Sequence, residues 1–326
     1  MTLPVVWMCS GQGSQFFNMG QELYRSEPVF RRAMDLCDEM LRPLLGLRLT
    51  DVIYAQRGDP HAPFDRVLHS SPAILAVQYA MARVLRARGQ SPDLVLGYSL
   101  GEISAGILAG ALALEDGLRL AVRMAELLER SAPPGAMLAV LGDRALMAAH
   151  PEWFAEAEVA GRNFDGHFVL SGRPEVMARV EAKLGAAGVS VQRLPVAFAF
   201  HSSQLGAVGP ALRQLLGEVA VVPAAVDMMS ASDGRISRTL SADGLWATLS
   251  GPVDFQATLA RLATQGPRRY VDIGPSGTLA TFAKYGLPKS AGAEIVATVT
   301  PYGDARAAVD RLAPVASIPL ADRRAA

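Results

Sequence analysis

The chain is 326 residues long, half of them hydrophobic, with 31 basic side chains balanced by 31 acidic ones. That length supports one large domain, or one that carries a smaller insertion. A net charge of zero leaves no overall field to hold nucleic acid or an anionic membrane.

Met1-Thr2-Leu3-Pro4 lacks the basic and apolar regions of a signal peptide, and two cysteines, Cys9 and Cys37, make neither a disulfide framework nor a metal cluster. A reducing cytoplasm is the simplest setting. Pro4 to Cys9 reads as a short buried strand, Ser10 to Gln15 as a turn-rich loop, and Met19 to Leu23 as the start of a helix. Apolar residues then recur at helical spacing over Val29 to Leu45 and over Ser71 to Arg88, with Pro72 in the first turn of the second run. Leu94 to Leu96 reads as a strand, Glu102 to Leu112 as a helix and Leu114 to Ala132 as another. Val95 to Leu114 has the length of a membrane span, but its four glycines and Glu102 fit a buried strand and helix better.

From Gly135 the rhythm changes. Strands at Ala136 to Leu141, Ala157 to Gly161, His167 to Ser171 and Val189 to Leu194 alternate with helices at Asp143 to His150 and Pro174 to Ala187. This β-α-β-β-α-β order is ferredoxin-like. After it come Val196 to Gln204, a helix to Leu216, a strand near Ala225 to Ser230, and the strand and turn Tyr270 to Pro275. The fold class expected is α/β: a large hydrolase-like domain with a parallel sheet over residues 1–133 and 196–313, an inserted ferredoxin-like domain over 134–195, and a loosely held tail over 314–326.

Gly97-Tyr98-Ser99-Leu100-Gly101 is a G-x-S-x-G pentapeptide with a strand before it and a helix after it, the setting of a nucleophile elbow. Ser99 then stands at a helix N-terminus, where N–H groups favour developing negative charge. A serine nucleophile needs a base. His61, His69, His150 and His167 read as surface or turn residues, whereas His201 ends the apolar segment Val196-Ala197-Phe198-Ala199-Phe200. That position suits a base in a cleft and equally a satisfied structural histidine. Gln12 sits in a glycine loop at a strand end, either facing the ligand crevice or forming a plain solvated turn.

Ser10-Gly11-Gln12-Gly13-Ser14-Gln15, Gly97-Tyr98-Ser99-Leu100-Gly101-Glu102, Phe198-Ala199-Phe200-His201-Ser202 and Asp272-Ile273-Gly274-Pro275, in this order, resemble the malonyl-CoA:acyl-carrier-protein transacylase family, which includes the acyltransferases of polyketide synthases. The resemblance implies that Ser99 accepts an acyl group from a thioester, that His201 is its base, and that Gln12 and the Leu100 N–H form the oxyanion hole. It further implies that a main-chain carbonyl near Thr248 to Ser250 orients the histidine, and it assigns Met124, Tyr98, Phe198, Phe200 and Ser71 to the acyl pocket.

Family members that take malonyl groups carry an arginine in the helix after the elbow, and a gap-free count places Met124 there, beside Arg123. Tyr98 replaces the usual histidine before the serine, and Ser71-Pro72 stands where Gln-Pro is common. An apolar floor implies uncharged acyl groups, a pattern that resembles the free-standing acyl hydrolases of polyketide synthases lacking built-in acyltransferases. The implied activity is hydrolysis of acyl groups from acyl carrier protein; transfer between coenzyme A and the carrier, and a catalytically silent docking subunit, are the alternatives. No cofactor is implied beyond the acyl-phosphopantetheine or acyl-CoA substrate. An acidic carrier would meet a basic patch drawn from Arg119, Arg123, Lys284 and Lys289.

Overall fold

A computed structural model describes residues 3–54 and 63–312. Its strands are β1 Val5–Cys9, β2 Leu94–Gly97, β3 Ala136–Leu141, β4 Glu158–Phe164, β5 His167–Gly172, β6 Ser190–Arg193, β7 Asp227–Ser230, β8 Ile236–Ser237, β9 Val253–Asp254, β10 Arg269–Asp272 and β11 Glu294–Ala297. The larger sheet runs β11-β10-β1-β2-β7-β8, parallel throughout except for the antiparallel edge strand β8. Its central strands are almost wholly apolar because both faces are covered. Trp7, Cys9 and Val95 meet the helices Pro28–Leu45, Val67–Ala87 and Leu114–Ser131, while Val6, Met8, Leu94 and Leu96 meet Phe255–Ala263 and Thr278–Gly286. This is an α/β architecture.

The smaller sheet runs β6-β3-β5-β4-β9. Leu138, Val140, Phe168 and Leu170 pack there against Phe154 and against Val176, Met177, Val180 and Leu184 of the helix Pro174–Ala186. Four of its strands are antiparallel neighbours, but β9 joins parallel to β4 at Gly161–Val253 and Arg162–Asp254. The sheet is therefore not completed within residues 134–195; the later part of the chain supplies its last strand.

Several element boundaries differ from the sequence reading. The helix assigned to Ser71 to Arg88 starts at Val67, so Pro72 lies inside it and His69 is a helical residue rather than one preceding a helix. Helix Gly101–Ala109 ends three residues before Leu112 because Gly110, at φ 82°, turns the chain into the left-handed region that glycine tolerates. The helix expected over Asp143 to His150 is confined to Ala145–Ala149, and Pro151 opens a second short helix, Pro151–Phe154, beyond it. Among the described residues no helix is long and apolar enough to cross a membrane. His61 and the tail from residue 314 lie outside the described residues.

Candidate active site

Strand β2 ends at Gly97 and the next helix begins at Gly101, with Ser99 at φ 55° between them. That backbone is sparsely allowed for a residue with a Cβ, and it persists only where the surroundings hold it. The glycines explain how. A Cβ on Gly97 would lie 2.6 Å from Glu102 Cα, one on Gly101 2.0 Å from the Cys9 carbonyl oxygen, and one on Gly11 2.7 Å from the Tyr98 carbonyl oxygen. Three stretches of main chain thus close on the serine turn, and Tyr98 N–H donates to the Cys9 carbonyl at 2.9 Å to lock it on β1.

His201 reaches this turn from an irregular segment, not from a strand. Gly135 N–H donates to the Ala197 carbonyl at 2.9 Å, and a Cβ on Gly135 would stand 2.0 Å from Ala199 N, so the segment lies flat against the entry to β3. His201 also has a positive φ, 58°. Phe198 and Phe200 meet edge to face before it at 6.1 Å. The ring nitrogen Nε2 is 2.8 Å from Ser99 Oγ and Nδ1 is 2.8 Å from the Gly251 carbonyl oxygen. A carbonyl can only accept, so Nδ1 carries the proton and Nε2 is left to accept from the serine hydroxyl. The orienting carbonyl is therefore Gly251, one residue beyond the Thr248 to Ser250 stretch expected from the sequence. A Cβ on Gly251 would press on the Ala247 carbonyl oxygen at 2.8 Å. Burial lowers the His201 pKa, while the carbonyls of Gly251 and Thr248 pull it back up.

Gln12 lies beside the same turn: the Gly11 Cβ position is 3.1 Å from Leu100 N and from Ser99 Cβ. The backbone N–H groups of Gln12 and Leu100 donate to no acceptor among the described residues. The Gln12 side chain is occupied, because its Nε2 donates to Ser71 Oγ at 2.6 Å and its Oε1 accepts from Ser70 Oγ at 3.2 Å. Any oxyanion contact from this residue thus falls to its main chain. Behind the loop, Gln78 Nε2 donates to the Ser10 carbonyl at 2.8 Å, and Gln15 Nε2 ties the loop to Pro195 ahead of the His201 segment at 3.0 Å. The motif Asp272-Ile273-Gly274-Pro275 braces the same loop, since a Cβ on Gly274 would overlap Ser10 Oγ at 2.0 Å. Asp272 is fully buried; burial pushes its pKa up to about 7 although Gly274 and Ala280 N–H groups donate to it.

The chain as a whole has recognisable relatives: the profile of the acyl transferase domain family matches residues 6–315. The chain belongs to that family. It is 33% identical to the polyketide biosynthesis acyltransferase homolog PksD of Bacillus subtilis and 34% identical to BaeD of Bacillus velezensis, covering 93% of this chain and 93% of each relative. Among solved structures, a loading acyltransferase from the avermectin modular polyketide synthase superposes with a TM-score of 0.82 at 29% identity, over 91% of this chain and 94% of that one. The malonyl-CoA:acyl carrier protein transacylase of Xanthomonas oryzae superposes at 0.81 with 27% identity, over 96% of this chain and all of that one.

Within this acyl transferase domain the other residues singled out from the sequence fall on both sides of the large sheet. Met124 and Phe198 are buried in one apolar cluster with Leu100. Tyr98 turns the other way: its ring packs on Phe255 and Phe282, and its hydroxyl donates to Asn163 Oδ1 at 2.9 Å. It does not join Met124, because it continues the strand face of Leu94 and Leu96, opposite to the Val95 face that meets the Met124 cluster. Arg123 is exposed and pairs with Glu126 at 2.9 Å, and among the described residues no arginine or lysine is buried.

The proposed basic patch also divides. Arg119 and Arg123 lie on the helix Leu114–Ser131, each paired to an acid of its own helix, whereas Lys284 lies on the helix Thr278–Gly286 on the other face of the large sheet and Lys289 in the short turn after it. His167, expected at the surface or in a turn, opens β5 half-buried with Nδ1 3.1 Å from Asn163 Nδ2, and burial lowers its pKa. Cys9 and Cys37 are buried and unbonded, and among the described residues no group of His, Cys, Asp and Glu could hold a metal. Glu102 entered the sequence reading only as part of the elbow motif, without a role, and Asn163 not at all; an acid at the start of the apolar helix Gly101–Ala109 was the signal for the first.

Proposed function

We propose that this acyl transferase domain takes uncharged acyl groups, acetyl or longer, from acyl carrier protein thioesters onto Ser99 and releases them to water. The observation that carries the reading is the 2.8 Å contact of Ser99 Oγ with His201 Nε2 while Nδ1 is fixed on Gly251. Nε2 takes the serine proton as Oγ attacks the thioester carbonyl carbon. The oxyanion meets the Gln12 and Leu100 N–H groups. The C–S bond breaks and the departing thiolate takes the proton from Nε2, which leaves acyl-Ser99. Water then attacks, gives a proton to Nε2, and the serine regains that proton as the carboxylic acid departs. Neither step draws on a cofactor.

Buried Met124, an outward Arg123 and the lack of a buried cation among the described residues support neutral cargo. A malonyl carboxylate left unpaired beside them would cost on the order of several kcal/mol. Phe198, Phe200 and Ser71 are read as the rest of that pocket, and the two units as hydrolase-like and ferredoxin-like. The second reading is transfer to another thiol, coenzyme A or a second carrier, which the names of the Bacillus relatives favour.

Incubation with acetyl-carrier protein, followed by intact mass, separates the readings. Loss of acetyl without an acceptor supports hydrolysis, loss only with a second thiol supports transfer, and no loss with no adduct supports a docking subunit. Ser99→Ala is expected to abolish turnover, and His150→Ala to leave it near wild type.

A further inference from the structure

The proposed acyl chemistry leaves one largely buried carboxyl beside the serine unused. Glu102 occupies the first turn of the helix Gly101–Ala109. Its N–H donates to the Ser99 carbonyl at 2.9 Å, and Gly97 crowds its Cα from the strand side. Its main chain is therefore fixed to the nucleophile turn. Its Oε1 accepts from Thr248 Oγ1 at 3.3 Å, and the Ser230 hydroxyl lies 3.5 Å from that same Thr248 oxygen.

Thr248 is buried near the end of the helix Ala242–Ser250, three residues ahead of Gly251, whose carbonyl accepts from His201 Nδ1 at 2.8 Å. One residue is thus bonded through its backbone to the nucleophile and through its side chain to the helix end that aims the base. A carboxyl is costly in this place. Burial pushes its pKa up to about 7, against the pull of the Ser230 and Thr248 hydroxyls and with a smaller push from Asp233. An apolar side chain would continue the helix's greasy face without that cost, so the carboxyl needs a compensating task.

We infer that Glu102 is a positioning residue: through Thr248 it holds the carbonyl end of the helix Ala242–Ser250 against His201, and so keeps Nε2 in reach of Ser99. The inference rests on the Ser99–His201 reading. A displacement near 1 Å at a reacting pair costs about 100-fold in rate.

The test measures acylation of the full chain by an acetyl thioester and labelling by a fluorophosphonate, with the adduct located by peptide mass. Wild-type labelling at Ser99 is expected; its absence overturns the dyad reading and this inference with it. Given labelling, Glu102→Ala and Thr248→Val are each expected to slow maximal acylation by about 10- to 100-fold, with the half-saturating thioester concentration within about twofold. Glu102→Gln keeps an acceptor and Thr248→Ser keeps a hydroxyl, so both are expected within about threefold of wild type. The double variant Glu102→Ala/Thr248→Val is expected to be no slower than the worse single one, because both break one link.

Thr248→Val at wild-type rate overturns the inference and spares the dyad, as does a loss that falls on half-saturation instead of rate. Glu102→Gln as slow as Glu102→Ala overturns it too, since charge and not position would then matter. If Glu102→Ala does not fold, the Thr248 pair decides alone.

Discussion

In the proposed mechanism His201 serves as a base only while its ring is neutral. Burial disfavours the imidazolium and lowers the pKa below 6.5, and the Gly251 carbonyl recovers only part of that shift. Acylation of Ser99 should therefore rise with pH along a limb whose midpoint lies below 6.5, and be level above it. A stopped-flow pH profile with an acetyl thioester checks this, and a midpoint above 6.5 would contradict it. The stability sign agrees: the unfolded chain binds this proton before the folded one, so the contribution is whole above pH 6.5 and is lost as pH falls through the folded value. Met124 argues the other half of the residue scale. Its side chain is 5% exposed while Arg123 points to solvent, so only a substitution brings a guanidinium inward. Met124→Arg is expected to raise the malonyl-to-acetyl ratio of self-acylation by about tenfold or more, read by intact mass.

At the scale of elements, the elbow depends on how near one main chain comes to another. The overlap that a Cβ at Gly101 would have with the Cys9 carbonyl oxygen is backbone against backbone, so β1 and the helix Gly101–Ala109 cannot both stay in place. Gly101→Ala is expected to destabilise the fold by about 3 kcal/mol or more and to abolish Ser99 labelling. Gly185 is the contrast: it sits in the helix Pro174–Ala186 with nothing within 4 Å of its Cβ position. Gly185→Ala should raise stability by up to about 1 kcal/mol, and urea unfolding of the two variants tests both.

The elbow was legible in the sequence because its requirements are local: two glycines, a strand run and a helix run within about fifteen residues. The orienting carbonyl was reached only through the family resemblance, and to within one residue of Gly251, since its role is set by a histidine 50 positions away. Pro72 misled for a local reason: proline favours a helix's first turn, yet here the buried apolar face extends the helix back to Val67. Strand β9 has only two residues, too few for any alternation to show.

At the scale of the molecule, the two sheets share links that no single unit could keep alone. β9 pairs with β4, Tyr98 on the elbow bonds Asn163 on β4, and Glu158 on β4 accepts from Ser203 N–H at 2.9 Å, two residues after His201. Asn163 is fully buried, so losing its donor would strand an acceptor; Tyr98→Phe is expected to cost about 1–3 kcal/mol. The proposed base depends on this arrangement, because Gly251 lies just ahead of β9 while Ser99 follows β2 on the turn into the helix Gly101–Ala109. Such cross-links predict that the sheets unfold together. The three tryptophans offer the probe: Trp7 lies in β1, Trp153 beside the smaller sheet and Trp246 in the helix that carries Thr248. Variants that keep one tryptophan each should show coincident urea midpoints by fluorescence and by circular dichroism. A Trp153 transition well ahead of the other two would mean that the smaller sheet opens by itself, and β9 would then be a loose strap and not a tie.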